Sequence, residues 1–135
     1  MYKNILIPIV YDPDTTPDLA LSAARNLRDE NASVTLLHVI EELPNYAASY
    51  VAVDYIEQSR KEVTARIKAV ANLIEGGKAV VVHGHSARTI LSYAEDNGVD
   101  CIIVSSHKPG VQDYFLGGTA ARVVRYAQCA VHVIR

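Results

Sequence analysis

Short apolar runs alternate with longer segments of helical spacing along this chain. The runs are rich in Val, Ile and Leu and predict five β-strands, over residues 5–10, 33–40, 79–83, 101–105 and 130–134. Residues 101–104 are uniformly apolar, as is typical of a strand that is covered on both faces. We therefore expect an α/β fold in which helices cover both faces of a parallel sheet.

The first helix is predicted to begin at Thr16 and Pro17. Thr16 suits the N-cap, and Pro17 suits the first helical position because its ring already fixes a helical φ. Leu19, Ala23 and Leu27 follow at four-residue steps and are expected on the buried face.

Three further helices are predicted, within residues 53–75, over residues 86–97 and over residues 120–128. Gly98 supplies the left-handed residue that ends the third helix. On the second helix, Glu62 and Arg66 are four residues apart and are expected to pair on the solvent face. Its buried face is predicted to hold Ile56, Val63, Ile67, Val70 and Ile74.

Right-handed crossovers between five parallel strands favour a doubly wound sheet with the strand order 3-2-1-4-5. In that order the connections leave strands 1 and 4 in opposite directions, so the crevice between their carboxyl ends is the expected ligand site. The long connection over residues 41–54 follows strand 2 at the same edge and contains Tyr46 and Tyr50. These tyrosines either line the site or merely pack over the edge of the sheet.

Composition narrows the class of protein. The 135 residues are half apolar, which predicts one domain over residues 1–135 whose core needs no disulfide or metal. With 13 basic and 15 acidic side chains the net charge is −2, which argues against a nucleic-acid or membrane-surface partner. There is no signal-peptide pattern and no apolar run of membrane-spanning length, so we expect a cytoplasmic protein. In that compartment Cys101 and Cys129 are expected to be reduced thiols.

The loop over residues 105–119 joins the fourth strand to the last helix and concentrates hydrogen-bond donors. It contributes Lys108, hydroxyl side chains and a pair of glycines before the helix amides of its end. The segment after strand 1 instead carries Asp12, Asp14 and Asp18, which would repel a phosphate. This asymmetry predicts an anionic ligand whose phosphates lie at Lys108 and residues 117–119, with its neutral part over the end of strand 1. A nucleotide fits this division, and an ordinary helix cap is the alternative.

Several other sites are less well supported. The dinucleotide motif G-x-G-x-x-G and the Walker motif are absent from the sequence. His38, His83, His85 and His107 fall near strand ends and leave a metal site open as a distant alternative, although His38 suits a hydrogen-bonded core position better. Ser105 or Ser106 beside His107 does not form a catalytic triad, because adjacent side chains at a strand end point apart. No catalytic residue is therefore assigned.

The strands and the loop described above resemble those of the universal stress protein family, and the resemblance covers nearly the whole chain. Residues 5–9 are similar to the family's first strand, residues 36–39 to its second, residues 84–86 to its Gly-x-Pro turn and residues 102–119 to its nucleotide loop. The loop is most similar to that of the small enterobacterial F and G type branch. The resemblance implies a flavodoxin-like or adenine nucleotide α-hydrolase-like fold and a dimeric stress sensor or adaptor that binds ATP or AMP, with or without Mg²⁺.

The nucleotide loop departs from the family motif Gly-x2-Gly-x9-Gly-[Ser/Thr]. Ser105 and Lys108 replace its first two glycines, and its end fits either Gly117-Gly118 with a shortened spacer or Gly118-Thr119 with the spacer intact. Lys108 could offset the lost glycines by placing a positive charge on phosphate oxygens. Many members of the family carry an acid after strand 1 where this chain has Val10, so the resemblance implies that ribose recognition either falls to Asp12 or is weaker.

The predicted nucleotide contacts lie at the ends of strands 1, 2 and 4 and in the loop that follows strand 4. They are Pro8, Ile9, Val10, Asp12, Val39, Val104, Ser105, Ser106, His107, Lys108, Gly117, Gly118, Thr119 and Ala120. Ser86 replaces the family's proline and is expected to act as an N-cap. The resemblance further implies a homodimer through the last strand at Val131, His132, Val133 and Ile134, together with an unknown protein partner.

Any ATP hydrolysis should be slow, because the sequence offers no evident general base or arginine finger. The main alternative function is a protein-interaction module of the same family that has lost its nucleotide.

Overall fold

The computed structural model describes residues 1–10, 14, 16–41, 53–106 and 116–135. Its five parallel strands form one sheet in the order β3-β2-β1-β4-β5, which confirms the predicted doubly wound order. The strands are β1 (Tyr2–Pro8), β2 (Arg28–Ile40), β3 (Gly77–His83), β4 (Cys101–Ser105) and β5 (Ala130–Ile134). The helices are α1 (Asp18–Leu27), α2 (Val53–Ala71), α3 (Ser86–Asp96) and α4 (Gly118–Tyr126).

Two apolar cores cover the two faces of the sheet, because successive strand residues point to opposite faces. Ile5, Ile7 and Ile103 pack with α1 and α2 on one face. Leu6 and Ile102 pack with α3 and α4 on the other. Burial on both faces explains why β1 and β4 read as continuous apolar runs.

The site edge is formed where β1 and β4 end side by side in the middle of the sheet. The amide of Ile9 donates to the carbonyl of Leu37 at 2.9 Å, which continues the pairing of β1 with β2 past Pro8. The amide of Ser106 donates to the carbonyl of Ile134 at 2.7 Å and does the same for β4 and β5. Both strand ends are therefore held rigidly where α1 and α4 approach.

The start of α1 differs from the prediction. The N-cap is Pro17 and the helix begins at Asp18, one residue later than expected, with no side-chain cap. The buried residues are Ala20, Leu21 and Ala24, whereas Leu19 is 65% exposed. Of the three residues predicted at four-residue steps, Ala23 and Leu27 are partly buried against the core and only Leu19 is on the wrong face.

Helix α2 is exposed along its first three turns and is buried only from Val63 onward. Ile56, predicted to be buried, is 38% exposed, while Val63, Ile67 and Val70 are buried as predicted. Ile74 is also buried, although it lies beyond the end of the helix.

Helix α3 is capped differently from the prediction. The N-cap is His85, without a side-chain cap bond, and Ser86 is the first helical residue. The predicted N-cap role of Ser86 is therefore wrong, because its hydroxyl donates instead to a carboxylate of Glu41 at 2.9 Å. At the other end Gly98 has φ +65°, as predicted for the residue that ends the helix.

Strand β2 begins five residues before its predicted start. Its pairing with β1 shifts register between Tyr2 and Asn4, where Asn31 has a φ of 65°. Regular pairing begins at Ser33, so the predicted bounds describe the regular part of the strand. Among the described residues, no helix is both long and apolar enough to cross a membrane.

Candidate functional site

A cavity of about 690 Å³ opens at the carboxyl edge of the sheet, above the ends of β1, β2 and β4. Its floor is made by Pro8, Ile9, Val10, Leu37, His38, Val39 and Val104. One wall, the α1/α2 side, consists of Thr16, Pro17, Ala20, Arg66, Ile67 and Val70. The opposite wall, the α3/α4 side, consists of Glu41, Ser86, Ile90, Ser105, Ser106 and residues 117–120. A cavity of this size at a switch point of strand order is typical of a small-molecule site.

The α3/α4 side presents main-chain donors. The carbonyl of Gly117 accepts the first helical bond of α4, from the amide of Ala121 at 2.8 Å. The amides of residues 118–120 precede that bond, and the first N–H groups of a helix have no acceptor within it. These residues line the cavity, so the positive end of the α4 dipole faces the space that a ligand would fill.

The turn before α4 is held in place by the end of β4. The amide of Gly117 donates to the carbonyl of Ser106, which is itself buried at 5% exposure. Gly118 is exposed, and a Cβ built there would meet no atom within 4 Å. The main chain at the start of α4 is thus both fixed and open, which are the two properties that an anion cradle requires.

The α1/α2 side is mainly apolar. Ala20, Ile67 and Val70 line the cavity and are at most 5% exposed, so the same side chains form the wall of the cavity and part of the core. Together with Ile9 and Pro17 they offer a surface suited to a flat apolar ring. The predicted division between an anionic and a neutral end of a ligand stays a prediction.

Arg66 is a lining residue that the sequence analysis missed. It was placed on the solvent face of α2 with Glu62, but it is half-buried, and its Nη2 donates to Thr16 Oγ1 at 3.4 Å. A signal was present in the sequence, since Arg66 lies three residues after Val63 and four before Val70, within the buried stripe of the helix. The reading of Arg66 as a solvent-face partner of Glu62 was wrong.

Two further polar contacts shape the floor and the mouth of the cavity. His38 Nδ1 lies 3.1 Å from the carbonyl oxygen of Ile9, which assigns the proton of this contact to Nδ1. This is the hydrogen-bonded histidine that the sequence favoured. Glu41 and Ser86 form their hydrogen bond where β2 ends and α3 begins.

The structure brings most of the predicted nucleotide contacts to one cavity. Those that line it are Pro8, Ile9, Val10, Val39, Val104, Ser105, Ser106, Gly117, Gly118, Thr119 and Ala120. Asp12, His107 and Lys108 lie outside the described residues, as do Tyr46 and Tyr50. Their predicted roles therefore stay predictions.

The histidines near the strand ends do not share one set of contacts. His83 is exposed and its Nε2 accepts a hydrogen bond from Arg60 at 2.8 Å, whereas His38 bonds to the backbone in the floor of the cavity. Within the described ranges, no three His, Cys, Asp or Glu side chains form a group that could hold a metal ion. His107 lies outside those ranges.

The comparisons with known proteins agree with this fold. The family model of the universal stress protein family matches residues 1–135, so the chain belongs to that family. Universal stress protein A homolog 2 of Coxiella burnetii is 32% identical over 140 residues, covering 99% of this chain and 95% of the relative. Universal stress protein G of Escherichia coli O157:H7 is 26% identical over the full length of both chains. The predicted likeness to the enterobacterial branch is thereby confirmed.

Solved structures share the fold. The structure of hypothetical protein MJ0577 superposes with a TM-score of 0.81 at 28% identity and covers 99% of this chain and 96% of that one. More distant structures at 14–16% identity share the fold alone, with TM-scores of 0.62–0.69. They are a universal stress protein from Archaeoglobus fulgidus in complex with dAMP, one in complex with cAMP, and one from Arabidopsis thaliana with AMP bound.

Proposed function

We propose that this universal stress protein binds an adenine nucleotide, ATP or AMP, in the crevice between β1 and β4 and acts as a dimeric stress sensor or adaptor. The observation that carries the proposal is the pairing, across one cavity, of the amide end of α4 with an apolar wall. Phosphates would lie at residues 117–119 and the base over Ile9, between the walls. Members of the same fold with AMP, dAMP and cAMP bound support this ligand class.

The open main chain at the start of α4 supports the proposed place of the phosphates. The open main chain at Gly118 leaves room for phosphate oxygens beside the helix amides. Mg²⁺ could be held at Asp12 and a further positive charge supplied by Lys108, as the sequence predicts. The ligand would then meet donors at one end and apolar side chains at the other.

The protein would act through binding rather than through catalysis. Glu41 is the carboxylate among the described lining residues, and it accepts a hydrogen bond from Ser86 at the rim. His38 is held by the carbonyl of Ile9. Neither group is arranged to activate a water molecule at the α4 end, so ATP hydrolysis should be slow at most.

The dimer would form along β5, which ends the sheet next to β4. Val133 on this strand and Val124 and Tyr126 on α4 are 36%, 43% and 59% exposed, which places apolar surface at this edge. Edge-to-edge pairing of two copies would cover it. Nucleotide and dimer together would give the surface that a protein partner recognises.

Titration calorimetry with AMP, Mg-ATP and buffer tests nucleotide binding on a matched pair of variants, Gly118→Asp and Gly118→Asn. Both side chains enter open space, so both variants should fold. An acidic side chain at the first position of a helix interacts favourably with the helix dipole but repels a phosphate group. We expect Gly118→Asp to bind AMP at least about tenfold more weakly than Gly118→Asn does. The melting temperature of Gly118→Asp should be at least as high as that of Gly118→Asn.

Two results would count against the proposal. If the wild type binds neither AMP nor Mg-ATP with a Kd below about 1 mM, the function as a protein-interaction module is favoured instead. Equal affinity of the two Gly118 variants would mean that no phosphate lies at α4. Sedimentation of the same samples reports whether the protein is a dimer, and mass spectrometry of the denatured protein identifies any nucleotide that it carries.

A further inference from the structure

The carboxylate of Glu41 belongs to the same cavity as the amides of α4 but to a different strand end. Glu41 directly follows β2 and lines the cavity together with Ser86, the first residue of α3. Because β1 lies between β2 and β4, the ends of β2 and β4 are two strand spacings, about 10 Å, apart. The cavity therefore has a negative side chain near the end of β2 and main-chain donors beyond the end of β4.

Ser86 fixes the position of this carboxylate. Its Oγ donates to Glu41 Oε1 at 2.9 Å, across 45 residues of sequence. A serine hydroxyl at a helix start commonly bonds to an amide of its own helix, but α3 has His85 as its N-cap and no side-chain cap bond. In the family's Gly-x-Pro turn a proline stands at this position, so the hydroxyl that orients Glu41 is a departure of this chain from that turn.

The chemistry of Glu41 restricts what it can contact in a ligand. An ionised carboxylate only accepts hydrogen bonds, and its two oxygens can accept several, so the bond from Ser86 leaves room for a donor of the ligand. Its negative charge repels a phosphate, which favours the neutral end of a nucleotide at this position. A hydrogen bond to an ionised group is also stronger than one between neutral groups.

The separation of the two strand ends identifies the donor. In a nucleoside monophosphate the ribose lies between the phosphate and the base. With the phosphate at the start of α4, the group farthest from it is at the edge of the base. An exocyclic amine on the base is therefore a better partner for Glu41 than a ribose hydroxyl.

We propose that Glu41, oriented by Ser86, is a specificity-determining residue that accepts a hydrogen bond from the 6-amino group of the adenine ring. The inference rests on the proposed function, since it assigns a residue to the base of the same nucleotide. The amides of α4 bind the phosphate of any nucleotide, whereas Glu41 selects a base that carries a donor. A base without that amine loses a charge-assisted hydrogen bond and binds more weakly.

Calorimetry with AMP and purine riboside 5′-monophosphate tests this role, because the second ligand differs from AMP only by a hydrogen in place of the 6-amino group. We expect the wild type to bind AMP about tenfold more tightly, the size of effect of a hydrogen bond to a charged group. Glu41→Ala should bind the two ligands equally, and Glu41→Gln, which keeps an acceptor oxygen without the charge, should give an intermediate ratio. The ratio of the two Kd values is the readout, because any effect of Glu41 on the shared phosphate cancels in it.

Ser86→Pro restores the residue of the family turn and tests the orienting hydrogen bond. Proline suits the first helical position, and His85 before it has φ −88° and ψ 127°, the extended backbone that a following proline favours. The variant should therefore fold. We expect it to bind AMP with a Kd ratio shifted from that of the wild type towards that of Glu41→Ala, because Glu41 loses the bond that holds it.

Glu95→Ala is the matched control. It removes the same residue type at an exposed position near the other end of α3, outside the cavity lining. We expect it to keep the AMP affinity and the Kd ratio of the wild type. Thermal unfolding followed by circular dichroism shows whether each variant is folded, and the exposed position of Glu41 makes its substitutions mild.

The outcomes separate this inference from the proposed function. If the wild type binds both ligands equally well, or if Glu41→Ala keeps the wild-type ratio, Glu41 does not contact the amine and the nucleotide site stands. If the wild type binds neither AMP nor ATP, both proposals fail. An unchanged ratio in Ser86→Pro would contradict the orienting role of Ser86.

Discussion

The two sides of the crevice are built from different parts of the chain. On the α1/α2 side, Ile67 and Val70 belong at once to the cavity wall and to the core. On the α3/α4 side, the residues nearest the proposed phosphate are Gly118 and Thr119, which are exposed, and the chemistry comes from their main-chain amides. Ile90 and Ala120 on that side are also buried in a core, so the contrast lies between the buried Ile67 and Val70 and the exposed start of α4. Substitution of the buried pair should lower stability, and substitution at the start of α4 should change binding.

Under the proposed function, the main-chain amides at the start of α4 would tolerate the departure of the sequence from the family motif. Main-chain amides are present whatever the side chain, so the replacement of a loop glycine matters only if the new side chain enters the ligand volume or needs a positive φ.

The largest effect that separates the two sides is on stability. Ile67 is 1% exposed, and Ile67→Ala removes packing atoms from the α1/α2 core. We expect a loss of about 2–5 kcal/mol in the free energy of unfolding, measured by urea denaturation. Gly118→Ala on the other side should change it by no more than about 1 kcal/mol, because its Cβ meets no atom within 4 Å. Similar losses at both positions would contradict the contrast.

The two cysteines lie on opposite faces of the sheet, and effects of intermediate size are expected for them. Cys101 is buried in the core under α1 and α2, whereas the half-buried Cys129 packs against the core of α3 and α4. Burial raises the pKa of the Cys101 thiol from 9.0 to about 11, with smaller contributions from Cys129 and Asp100. Burial also raises the pKa of Cys129. A buried neutral thiol reacts slowly, so iodoacetamide should label Cys129 first.

The raised pKa of Cys101 also makes the free energy of unfolding depend on pH. The folded state keeps the Cys101 proton more tightly than the unfolded state, so this contribution is complete below about pH 9 and is lost as the pH rises towards 11. Urea denaturation across that range should show a shallower alkaline decline for Cys101→Ala than for the wild type, with Cys129→Ala closer to the wild type. An unchanged slope in Cys101→Ala would mean that the thiol is not buried in solution.

The smallest effect is expected at the rim. Glu41 and Ser86 form an exposed hydrogen bond of 2.9 Å between the end of β2 and the start of α3. A double-mutant cycle of Glu41→Gln and Ser86→Ala should give a coupling below about 1 kcal/mol in the free energy of unfolding. A larger coupling in nucleotide affinity than in stability would show that this bond positions the α3/α4 side for its ligand.

The sequence predicted the sheet order, the strand positions and most of the cavity lining, since these follow from apolar periodicity and from the rule that parallel sheets bind ligands at their carboxyl edge. Its errors lie at helix surfaces, at helix starts and at the bounds of β1 and β2, since β1 is Tyr2–Pro8 rather than residues 5–10 and β2 begins at Arg28 rather than at residue 33. Leu19 is exposed while Ala20 and Leu21 are buried, because α1 carries apolar residues at adjacent positions and their spacing alone does not select the stripe that faces the sheet. Ser86 contacts Glu41 rather than capping α3, because β2 delivers an acceptor from 45 residues away.

What the sequence determined by itself is the class of fold, the family and the edge of the sheet at which the cavity opens. The fold and the edge follow from apolar periodicity, and the family follows from motifs at the strand ends and before the last helix. Only the tertiary structure decided where the head group of Arg66 goes. The spacing places Arg66 beside the buried stripe of α2, but it does not identify the groups that the guanidinium contacts. One of them is the hydroxyl of Thr16, which lies 50 residues away in sequence and meets α2 only because α1 and α2 pack on the same face of the sheet.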